Sequence, residues 1–104
     1  MEWLGHLAAK QRDLAGALRS FSDAKAIAER LAASDPSNAA WQRDLAVSHF
    51  KLSQCALAKG DEAMMQASLR ACFTVLDAMK QRGLHLDPQM AKVHAWIAGR
   101  FGGA

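Results

Sequence analysis

Two prolines interrupt the chain, and both follow an aspartate: Asp35-Pro36 and Asp87-Pro88. Proline cannot sit inside a helix, and Asp before it is a ready cap, so these pairs read as stops followed by helix starts. The other breaks are "KGD" at 59–61 and the "RGL" that leads into the second proline, with a change of pattern near Gln11 to Asp13. Everything between them is apolar at helical spacing, and no Val-, Ile- or Thr-rich alternation suggests a strand. The expectation is a single all-α domain over 1–104, with helices at about 2–11, 13–33, 37–59, 61–82 and 88–101.

Each segment has its own pattern. The second reads Leu14, Leu18, Phe21, Ala24, Ile27, Ala28 and Leu31, one apolar stripe with Arg19, Asp23, Lys25, Glu29 and Arg30 off it. The third has two faces, Trp41, Leu45, Ser48, Leu52 and Ala56 on one and Val47, Phe50, Gln54 and Leu57 on the other. In the fourth, Met65, Leu69, Cys72, Phe73, Leu76 and Met79 point inward, and charges are so few that neighbours on two sides are expected. The fifth carries Met90, Val93, Ile97 and Phe101 and reads as a lid. Gly60 is placed to close the third helix in the left-handed conformation and Asp61 to cap the fourth, which makes a tight hairpin.

The chain also repeats itself. "RDLAGALRSFSDA" at 12–24 falls on "GDEAMMQASLRAC" at 60–72, and the two Asp-Pro pairs recur with a slightly larger shift. Small residues at Gly5, Ala17, Ala24, Ser53 and Cys72 would let antiparallel helices approach closely.

This unit resembles the tetratricopeptide repeat, whose signature is Leu-Gly, a hairpin, Ala and Phe four apart, and a later proline. Leu4-Gly5, Ala17, Phe21, Ala24 and Pro36 carry the resemblance in the first unit. Leu52-Ser53, Gly60-Asp61, Met65, Leu69, Cys72 and Pro88 stand at the matching places in the second. The period is near 50 rather than about 34 residues, as in the extended bacterial variants of the repeat. The resemblance covers about 2–88 and implies stacked antiparallel hairpins in a short solenoid of about five helices, closed by a C-terminal capping helix.

It further implies a groove lined by Val47, Phe50, Lys51, Gln54 and Leu57, with His6 beside them, that meets a protein or peptide. The groove's occupant is left open between the chain's own last helix, a second copy and a foreign ligand, and a homodimer is expected to form through either the groove or the uncovered first hairpin. The family's clamp for C-terminal carboxylates uses Lys and Asn on groove-facing turns. Glu2, His6, Phe50 and Gln54 stand there instead, which argues against a carboxylate-ended peptide.

Other functions find less support. The net charge of +3 is spread along the chain rather than gathered into a stripe; a basic helical domain on nucleic acid or an anionic surface is the alternative reading, and the missing patch counts against it. The four histidines lie on different segments, with no metal-ligand spacing and no Gly-rich phosphate loop, so no catalytic residue, metal or cofactor is expected. Cys55 and Cys72 read as small buried fillers, and Met64-Met65 as core. Trp3 and Trp96, near the chain ends, suit either a core cap or an oligomer contact. Glu2 and a short apolar run do not make a signal peptide, and Arg70 and Asp77 break the most apolar stretch, 63–79, below membrane-spanning length. The cytoplasm is the expected compartment.

Overall fold

The computed structural model describes the backbone of residues 2–102 and the side chains of residues 14–101. The expectations placed on Glu2, Trp3, Leu4, Gly5 and His6 fall outside the described side chains.

The described chain is all-helical: α1 (Glu2–Ser34), α2 (Ala39–Lys59), α3 (Glu62–Gln81) and α4 (Pro88–Ile97), which runs on into a π-helical turn, Ala98–Gly102. The described residues therefore form four α-helices rather than five. The break expected near Gln11 to Asp13 is absent and α1 runs through it. No Gly or Pro lies at that point, and a change of pattern alone does not stop a helix. Even Gly16 is carried in the helix interior.

The remaining ends follow local chemistry. Asp35 does not cap α2. Its carboxylate instead accepts from the Ser37 hydroxyl at 2.7 Å, and the helix starts later, where Asn38 accepts from the Trp41 amide at 3.1 Å. Gly60, at φ 89°, closes α2 in the left-handed region, and the next amide, Asp61, donates to Ala56 at 2.9 Å. Asp61 and Asp87 cap α3 and α4 through the amides of Met64 and Met90.

Helices adjacent in sequence are adjacent in space. α2 lies between α1 and α3, and α4 folds back on α3. The core forms where α2 and α3 face each other, around Ala46, Ala56, Leu69, Cys72, Leu76 and Met79, and Met90 and Ile97 of α4 close it. Small side chains on α2, Ala46 and Ala56, let α3 approach. Arg43 of α2 reaches the α4 cap, with its Nε 2.7 Å from an Asp87 carboxylate oxygen.

α1 is different. Its buried residues, Ala28 and Ala32, pack on Leu45 of α2, with Val75 of α3 at the margin. The expected seven-residue stripe is thus only partly covered. It is too wide for one neighbour, and Ile27 and Leu31 are left 51% and 38% exposed.

Candidate interaction surface

α2 presents the two faces expected of it, but their neighbours differ from expectation. Val47 and Phe50 are half-buried, whereas Lys51, Gln54 and Leu57 are exposed. α4 covers part of the expected groove: the Trp96 ring meets Phe50 edge-on, with centroids 6.4 Å apart. Leu57 stays 64% exposed and Trp96 53%. The lid therefore covers the Phe50 side and leaves the far end of the groove open.

A second apolar cleft, of about 400 Å³, lies beside the first, between α2 and α1, and shares Val47 and Lys51 with it. Phe21, Ile27 and Leu31 form its α1 wall, Trp41 and Val47 its α2 wall, and Asp44 and Lys51 its rim. The Lys51 ammonium lies 5.4 Å from the centre of the Phe21 ring. Val47 and Lys51 of the expected groove line this cleft, whereas Ile27 and Leu31 on its α1 wall were not singled out as contact residues. The signal was the width of the α1 stripe, since Ile27 and Leu31 stand well round the helix from Ala28 and Ala32.

Of the residues matched to the repeat, Leu52, Ser53, Met65, Leu69 and Cys72 are buried, and Ala17 and Phe21 are half-buried. Ala24 is exposed, contrary to its assignment as a close-contact residue. Because α1 is continuous, no earlier helix folds back to meet it, and Ala24 borders the cleft instead.

Burial pushes the Cys72 thiol up to about 12, so the nucleophilic thiolate is scarce at neutral pH. Cys55 is buried as well. Burial, and then Lys25, hold the His49 imidazole below its ordinary value, opposed by Glu29. The Met90 amide and then the Arg43 side chain hold the Asp87 carboxyl below the usual carboxylate range. His94 stacks on Phe73 at 4.8 Å, with Nε2 3.2 Å from Asp77, and so ties α4 to α3. Among the described residues, no group of three metal-ligating side chains converges and no helix is long and apolar enough to cross a membrane.

Compared with protein-family models, with curated proteins and with solved structures, the chain shows no significant match.

Proposed function

We propose that this chain is a non-catalytic protein–protein interaction module, a short stack of helices in the manner of tetratricopeptide repeats, working in the cytoplasm. It receives an amphipathic helix from a protein partner on the α1–α2 face. The observation that carries this reading is the exposure of Ile27 and Leu31 beside an apolar cleft, on a helix with one main neighbour. Contiguous exposed apolar surface of this kind marks a contact site, and a cleft between two helices suits a third. The repeat-like spacing of Ala17, Phe21, Met65 and Leu69 supports the stacked design, and two free, buried cysteines suit a reducing compartment.

The second reading, a basic helical domain on an anionic surface, has its best footing at the far end of the molecule. There the Arg70 and Arg100 guanidinium groups lie 5.2 and 5.9 Å from the Phe101 ring centre. A titration separates the two. At a concentration where light scattering gives the single-chain mass, an amphipathic Leu-rich helical peptide is expected to shift the methyl signals of Ile27, Leu31 and Val47, with little dependence on salt. No peptide response, together with an oligonucleotide response around Arg70 and Arg100 that collapses with salt, would overturn the proposal.

A further inference from the structure

On α1 the exposed stripe is Ser20, Ala24, Ile27 and Leu31, with half-buried Ala17 at its end. This three-and-four spacing directs a helix edge at one neighbouring helix. From Ala17 to Leu31 it runs about 21 Å. Asp23 and Arg30 border the stripe on the side away from α2, seven residues apart, both exposed. On α2, Asp44 and Lys51 border the same cleft, again seven apart and exposed. Among the described residues none of these four takes part in an ion pair within the chain.

The two charge pairs are level with each other. α1 and α2 run antiparallel, with Phe21 beside Lys51 and Ala32 beside Gln42, whose amide donates to the Ala32 carbonyl at 3.3 Å. The midpoint of Asp23 and Arg30 therefore stands beside the midpoint of Asp44 and Lys51, within one turn of helix.

A two-fold axis through that level turns each acid onto a base. If a second α1 lies antiparallel on the first, with Ala24 against the partner's Ile27, then Asp23 meets the partner's Arg30 and Arg30 the partner's Asp23. The same rotation brings Asp44 opposite the partner's Lys51. Small Ala24 and Ser20 sit opposite large Ile27 and Leu31, so the layers interlock. A parallel arrangement would set Asp23 beside Asp23 and Arg30 beside Arg30.

We infer that the occupant of the α1–α2 face is a second copy of this chain, forming an antiparallel two-fold dimer in which α1 and α2 of each copy make a four-helix bundle. This inference rests on the reading of that face as a protein contact, and it adds the partner and its register.

The test uses the exposed charges, whose reversal leaves the core untouched. Mass is measured by light scattering across concentration for the wild type, Asp23→Arg, Arg30→Asp, an equimolar mixture of the two variants, and Ile27→Glu, with circular dichroism to check folding. The wild type is expected to reach twice the chain mass. Each reversal sets like charges together twice in the symmetric dimer and is expected to raise the dissociation constant about tenfold, while the mixture, in which each acid again meets a base, recovers it.

A wild type of single-chain mass at every concentration overturns the second copy as occupant and leaves the face to the peptide titration. A dimer that Ile27→Glu dissociates but the charge reversals do not disturb overturns the antiparallel register and keeps the face. A dimer indifferent to Ile27→Glu overturns both.

Discussion

His49 is a half-buried imidazole on α2 near Lys25 and Glu29 of α1. Burial and then Lys25 depress its proton affinity, so between its folded value and the ordinary one near 6.5 the unfolded chain binds the extra proton. The His49 contribution to stability is therefore full above about pH 6.5 and is lost as pH drops below that value through the folded one. Chemical denaturation midpoints across this window should decline for the wild type and flatten for His49→Gln; equal slopes would refute the assignment. At this scale the sequence was a good guide to Cys55 and Cys72, because a small apolar side chain among apolar neighbours packs the same way in many helix pairs. It misled at Ala24. A small residue is suited to close contact, but only the neighbour's position decides whether contact occurs.

At the scale of elements, caps and glycines were legible because their chemistry is local. Gly60, Asp61 and Asp87 act as their types require, whereas the α2 start moved from Asp35 to Asn38 once Ser37 satisfied the aspartate. The length of α1 was not legible, since a continuous helix and a hairpin share the same stripe and differ only in whether the chain turns back. Gly16 tests that continuity. A Cβ built there meets nothing within 4 Å, so Gly16→Ala costs no contact and lessens the entropy lost on forming the helix. Its stability should rise by about 0.5–1 kcal/mol, seen as a melting temperature a few degrees higher. A loss of stability would mean that α1 turns at this point after all.

For the whole molecule, the α2–α3–α4 core was legible from the period and charge of each segment, and Leu69, Leu76, Met79 and Ile97 are fully buried, as the spacing predicts. Which face of α1 stays bare was not, because stripe width sets how much apolar surface exists and packing sets how much is covered. The core carries the stability. Leu76 is fully buried, and Leu76→Ala should cost about 2–5 kcal/mol. A typical domain has about 5–15 kcal/mol in all, so the variant's thermal transition should drop sharply or lose cooperativity.

Because α1 packs on α2, α2 on α3 and α3 on α4, each helix finds its main neighbour across a short connection. Little chain entropy is spent before a contact forms, and domains built this way belong to the fast-folding class. The same order sets how the molecule comes apart. In the single chain α1, held by one principal neighbour through Ala28 and Ala32, is placed to leave without opening the core, and a second copy seated on its bare face would hold it in place.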